Sequence, residues 1–155
     1  MAPSNPSAQI NLAVVLLKQK QYDRATNLLL SLLARDPNLW SANYNLGLAA
    51  YRQSDYATAE KYLRRSIALD PSRPDQFLYL GMISFHRNEP AEANALFRRA
   101  ISLDPDGESY HLALGTVLME QHNFRGACEE FRQELRWKPA QALLSSCEKH
   151  LQAGQ

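Results

Sequence analysis

Chemistry-bearing residues are scarce in this 155-residue chain. There are two cysteines, four histidines and six glycines. Cys128 and Cys147 are too few and too far apart for a CxxC metal pair or a disulfide-stapled miniprotein. His86, His111, His122 and His150 show no metal-ligand spacing, and HExxH, GxSxG and a phosphate-cradling glycine loop are all absent. With no convergent set of reacting groups, the chain is expected to be no enzyme and to hold no cofactor or metal. No apolar run approaches the ~20 residues that span a bilayer. The formal net charge is +1, so there is no general pull toward nucleic acid or a membrane surface.

What the chain has is a repeat. Pro37, Pro71, Pro105 and Pro139 stand 34 residues apart, and Leu12, Leu46, Leu80 and Leu114 keep the same period. A small residue follows each of those leucines: Ala13, Gly47, Gly81, Gly115. A second small column is Ala25, Ala59, Ala93, Ala127, and a large apolar column is Leu29, Leu63, Phe97, Phe131. An aromatic column, Tyr22, Tyr56 and Phe124, is broken by Pro90. Hydrophobic residues make up 45% and charged residues 21% of the chain, enough for a core with a solvated surface.

Each column has a physical role. Small residues where two helix axes cross let the backbones approach, and the Leu/Phe column fills the space beside the crossing. The proline column ends the second helix of each pair, and the residue before each proline is driven toward extended backbone. Pro90 falls at the start of a second helix, where the missing N–H has no intrahelical partner to lose. Helices are expected at about 41–53, 56–69, 75–87, 90–103, 109–121 and 124–137, with a further pair in the first copy.

Period, small residues and proline together resemble the tetratricopeptide repeat family over residues 6 to about 139. The resemblance implies an all-α, right-handed solenoid of four antiparallel helix pairs plus a C-terminal capping helix. The expected organisation is a disordered leader 1–6, repeats at 7–39, 40–73, 74–107 and 108–139, and a cap and tail at 140–155. The large residue that the family places three residues before each leucine is here Gln9, Asn43, Phe77 and His111, and Glu134 takes a column that is usually small.

The ends of the repeat array differ from its centre. In the second helix of the first copy Leu28, Leu29, Leu30, Leu32 and Leu33 point nearly all round the axis. Leu30 stands where later copies have Arg64, Arg98 and Arg132. Leu28, Leu30 and Leu33 are therefore candidates for self-association as a homodimer. After Pro139, the stripe Leu143, Leu144, Cys147 and Leu151 reads as a cap with a polar outer face. Cys128 and Cys147 are expected as reduced, partly buried thiols; a disulfide from the last repeat to the cap is the alternative and needs an oxidising compartment. The arginines of the second helices read as a solvated outer face balanced by Glu60, Glu92, Glu129 and Glu130, not as a nucleic-acid stripe.

In the family the resemblance points to, first helices line a concave groove that takes peptides or helices. Carried over, the groove comprises Ile10 and Val14; Tyr44, Leu48, Tyr51 and Arg52; Leu78, Met82, Phe85 and His86; and Leu112, Thr116 and Met119. Asn45 matches the asparagine of the family's carboxylate clamp. Ile10, Val14, Asp75 and Tyr79 occupy its other positions and rule the clamp out. The expected function is a non-catalytic module binding an apolar or amphipathic segment of a protein or peptide partner. The alternatives are an assembly module self-associating through the first repeat, or a fragment of a longer repeat-containing regulator. With no signal-peptide pattern in the leader, a cytoplasmic location is the default.

Overall fold

The computed structural model describes residues 5–107, 109–134 and 138–153. Every regular element among them is helical. In chain order these are α1 (Pro6–Lys18), α2 (Tyr22–Leu33), α3 (Trp40–Arg52), α4 (Tyr56–Leu69), α5 (Pro74–His86), α6 (Pro90–Leu103), α7 (Tyr110–Glu120), α8 (Phe124–Gln133) and α9 (Lys138–Ala153).

Local chemistry sets the boundaries. Asn5 caps α1 by accepting from the Ser7 N–H at 3.0 Å, and Pro6 follows as the first helical residue. Asp55 and Asn123 cap α4 and α8 through the N–H groups of Thr58 and Gly126, each at 3.1 Å. Asp70 and Asp104 end α4 and α6 in extended conformation, φ −146° and −147°, as the following proline requires. First helices end differently. Lys20, Ser54, Asn88 and His122 all adopt left-handed backbone, φ 58° to 62°, at one position of the repeat. In the first copy Lys20 N–H then bonds the Leu17 carbonyl at 3.1 Å and Gln21 N–H bonds that of Leu16 at 2.9 Å, the Schellman closure made without glycine.

Two boundaries depart from expectation. α8 stops at Gln133, where the Glu134 N–H closes a tighter turn on the Phe131 carbonyl at 3.2 Å. The rest of the expected 124–137 helix lies outside the described residues. α9 starts at Lys138 and takes Pro139 into its own first turn, so the last proline of the column opens a helix as well as following one. Of the expected leader, residues 1–4 lie outside the described residues, and Asn5 and Pro6 belong to the start of α1.

The chain divides into two compact units, residues 1–80 and 81–155, with the division falling inside α5. In the first, α1 to α4 pack each on the next in sequence, and α1 also touches α3. Ala25 and Ala59 are fully buried, as are Leu29 and Leu63 beside them. A Cβ added at Gly47 would stand 2.8 Å from the Leu63 side chain and 3.2 Å from the Ala59 carbonyl, so this crossing has no room for one.

In the second unit α6 packs on α7, α7 on α8 and α8 on α9. Ala93, Ala127, Phe97 and Phe131 repeat the buried columns, and a Cβ at Gly81 would stand 2.6 Å from the Phe97 ring. α9 covers α8 as the cap. Phe124 stacks on His150 with ring centroids 4.8 Å apart, Arg132 pairs with Glu148 at 3.1 Å, and a disulfide joins Cys128 to Cys147. The expectation of two reduced thiols is thereby corrected. Helix packing brings the two Cα atoms to 5.8 Å, inside the bonding range, from 19 residues apart in sequence.

Leu63→Ala should lower stability by about 2–5 kcal/mol in urea unfolding, because the rigid crossing cannot collapse onto the cavity. Reducing the disulfide should lower it by about 3 kcal/mol, the loop-closure value for a loop of this length. Thiol alkylation followed by mass measurement gives the redox state, and thermal melts with and without reductant give the stability difference.

Candidate functional site

The first unit holds a cavity of about 490 Å³ built by three first helices. α1 contributes Ile10, Val14, Leu17 and Lys18, spaced i, i+4, i+7, i+8 so that they share one face. α3 contributes Trp40, Ser41, Tyr44, Asn45, Leu48 and Arg52 on the same principle. Arg73, Pro74 and Asp75 close it from the start of α5. Aliphatic side chains from α1 and α3 form the floor, and the charged groups stand on the rim.

The rim cations are held in place. Arg52 Nη1 donates to the Leu17 carbonyl at 3.2 Å, a second donor beside the Lys20 N–H to a carbonyl at the C-terminus of α1, where a cation also suits the helix dipole. Arg73 lies over the Trp40 ring, 4.6 Å from its centroid, and its Nε donates to Asp70 at 3.0 Å. Bonds from Ser72 and Arg73 hold the Asp70 carboxyl below its ordinary range. Asn45 is buried and donates back to the Ser41 carbonyl at 2.8 Å. Three cations, Lys18, Arg52 and Arg73, thus surround the cavity with one acid, Asp75.

An aromatic cluster flanks it. Tyr79 lies 6.2 Å from Tyr44 and 5.3 Å edge-on from Tyr51, and Tyr51 lies 5.8 Å from Tyr56. Burial is the main reason the Tyr44 phenol is pushed well above the ordinary tyrosine value. Asp75 and Tyr79 add to the shift and Arg52 opposes it. The Tyr51 phenol is raised by burial, then by Tyr56 and Tyr79. Both hydroxyls are therefore neutral donors at physiological pH.

Of the residues expected to line a groove, Ile10, Val14, Tyr44, Leu48 and Arg52 meet around this cavity. Tyr51 belongs to the aromatic cluster beside it, and Leu78 is buried. Met82, Phe85, His86, Leu112, Thr116 and Met119 lie in the second unit. His86 is exposed, the other five are half-buried, and Thr116 Oγ1 is turned back onto the Leu112 carbonyl at 2.9 Å. Of the leucines proposed for self-association, Leu28 and Leu33 pack partly buried against the core of the first unit, while Leu30 is 43% exposed. Sequence reasoning passed over Trp40 and Arg73 as site residues. They are 33 positions apart, and no local pattern announces a guanidinium stacked on an indole.

No helix among the described residues is long and apolar enough to cross a membrane. A family model described as tetratricopeptide repeat matches residues 10–74 and 44–108. No curated protein matches. Among solved structures, PilF of Pseudomonas aeruginosa is similar at a TM-score of 0.86 and 23% identity, covering 97% of this chain and 71% of that one. YrrB, described as a TPR protein with an unusual peptide-binding site, is similar at 0.77 and 19%, covering 93% and 76%. MamA of Desulfovibrio magneticus RS-1 is similar at 0.75 and 22%, covering 88% and 77%. At these identities the likeness establishes the fold.

The tyrosines make the site sensitive to alkali. A phenol whose pKa is raised by folding binds its proton more tightly in the native state. Its contribution is intact below the ordinary value of 10.0 and is lost as pH rises from there through the raised value. Tyr44→Phe should therefore flatten the fall in stability above about pH 10, measured by urea unfolding across the alkaline range, and should remove the latest phase of tyrosinate absorbance.

Proposed function

Because the chain belongs to the tetratricopeptide repeat family, we propose that it is a non-catalytic protein-interaction module whose first-unit cavity receives an apolar or amphipathic segment of a partner protein. The observation that carries this reading is the cavity itself, an aliphatic floor ringed by two fixed guanidiniums, a lysine and a neutral phenol. Apolar burial supplies most of the attraction at such a surface, and the rim charges select among partners.

The chemistry favours a segment with an aliphatic or aromatic anchor beside acidic residues. Lys18 and Arg52 give the rim its positive character, Arg73 being paired with Asp70, and favour carboxylates in the bound segment. YrrB, a structural relative with a peptide-binding site, makes a peptide ligand reasonable on this fold. Self-association through Leu28, Leu30 and Leu33 is less favoured, since Leu30 alone of the three is exposed. A disulfide persists where thiols are oxidised, so Cys128–Cys147 favours an oxidising compartment over the cytoplasmic default.

Titration calorimetry with two synthetic peptides tests the proposal. One carries a leucine face flanked by glutamates; the other has those glutamates replaced by lysines. The acidic peptide should bind at least about 10-fold more tightly, and raised salt should narrow the gap. Val14→Asp, at a half-buried position, should weaken binding by about 30-fold while the helical circular dichroism holds, the loss expected for an anchor worth about 2 kcal/mol. Unchanged binding by that variant, or equal binding of the two peptides, would count against the cavity as the site.

A further inference from the structure

The cavity of the first unit differs between its two ends. Its lining follows two stripes of one-turn spacing, from Ile10 through Val14 to Lys18 on α1 and from Trp40 through Leu48 to Arg52 on α3. Both stripes begin aliphatic or aromatic and both finish on a cation. The two cationic ends lie together, because Arg52 at the close of α3 donates to the Leu17 carbonyl at the close of α1, and Lys18 is the next residue. The third cation is at the other end and is engaged there. Arg73 lies over the Trp40 ring, 4.6 Å from its centroid, and pairs with Asp70 at 3.0 Å. The acid of the lining, Asp75, stands near it in the first turn of α5. Tyr44, one turn in from Trp40, feels both ends: Asp75 raises its phenol's pKa and Arg52 lowers it.

Resting on the reading of this cavity as the binding site, we infer that it holds its segment in one orientation, with an acidic residue received by Lys18 and Arg52 at the C-terminal ends of α1 and α3 and the apolar part laid toward Trp40. Charge carries the first half. Lys18 and Arg52 are exposed, and among the described residues neither is paired with a carboxylate. A guanidinium has several N–H donors, and the Leu17 bond occupies Nη1 of Arg52, so a carboxylate can still be received there. The two helix C-termini bring about half a negative charge each against one full positive charge from each side chain, so this end stays net positive. Spacing carries the second half. Leu48 precedes Arg52, and Val14 precedes Lys18, by one turn, about 6 Å. The acidic residue therefore lies about 6 Å from the apolar anchor that Leu48 and Val14 receive, which is one helical turn or two residues of extended chain.

The reverse orientation fits less well. It brings the acid up to Asp70 and Asp75, where like charge repels it, and it sets two cations against the apolar end of the segment. Charge selection is therefore the work of Lys18 and Arg52. Arg73 instead holds the Trp40 ring in place at the apolar end.

The probe is a synthetic peptide with a leucine and, one helical turn along, a glutamate, its ends acetylated and amidated, added to the full chain. A nitroxide at the end remote from the glutamate should broaden the NMR signals of the Ile10 methyl and the Trp40 indole and spare those of Leu17. Moving the nitroxide to the glutamate end should reverse the pattern. Lys18→Glu, made at an exposed position and checked for unchanged circular dichroism, should weaken this peptide about 5-fold and tighten the version in which lysine replaces the glutamate. Lys18→Arg should keep the original order of preference. Methyl shifts at Ile10 and Val14 with equal broadening at both ends, or with an unchanged preference in Lys18→Glu, would overturn the orientation and leave the cavity as the site. No shift at Ile10 or Val14 with either peptide would overturn both.

Discussion

Two helices of a pair can approach only as closely as the side chains between them allow, and at Gly47, Gly81 and Gly115 an added Cβ would run into the large residue of the partner helix. Ala25, Ala59, Ala93 and Ala127 of the second helices and Ala13, Gly47, Gly81 and Gly115 of the first recur at the repeat's period, and at Gly47 an added Cβ would stand 3.2 Å from the Ala59 carbonyl. The gap beside each crossing is closed by one large apolar side chain, Leu29, Leu63, Phe97 or Phe131, each fully or almost fully buried. The arrangement favours close packing over helix propensity, because a mid-helix glycine is worth about 1 kcal/mol less than alanine. A short-range van der Waals constraint, repeated every 34 residues, sets the spacing that the remaining contacts use.

The cavity follows from that spacing. In the first unit, equivalent faces of α1, α3 and the start of α5 come together, so residues at one phase of the repeat become neighbours. Copies that differ in sequence then give the shared surface its character. Ile10, Val14, Leu17 and Leu48 make the floor aliphatic, while Lys18, Arg52, Arg73 and Asp75 make the rim polar.

Much of this was legible in the sequence because it is periodic. The helix pairs and the small and large columns follow from period and residue size, and the family resemblance those columns carry implied the fold class and five of the residues around the cavity. What escaped depends on contacts without a repeat. The Arg73–Trp40 stack joins residues that period alone does not pair, and the Cys128–Cys147 bond depends on how α9 settles on α8. Lys20, Ser54, Asn88 and His122 share left-handed backbone yet have no residue type in common, so no residue-type signal marked the position. Gln76 and Glu134 are buried with their side-chain amide and carboxylate atoms lacking hydrogen-bond partners, and packing supplies no reason for polar groups there.

The central claim is that the glycine column exists to seat the large residue of its partner helix, and a double-mutant cycle at Gly81 and Phe97 tests it most directly. A Cβ at Gly81 meets the Phe97 ring, so Gly81→Ala in the native background should destabilise the protein in urea unfolding. In a Phe97→Leu background the smaller side chain frees that space. The same change should then be neutral or stabilising by up to about 1 kcal/mol, the helix-propensity gain of alanine over glycine. If Gly81→Ala has the same effect in both backgrounds, the two residues are uncoupled and the close-approach account is wrong.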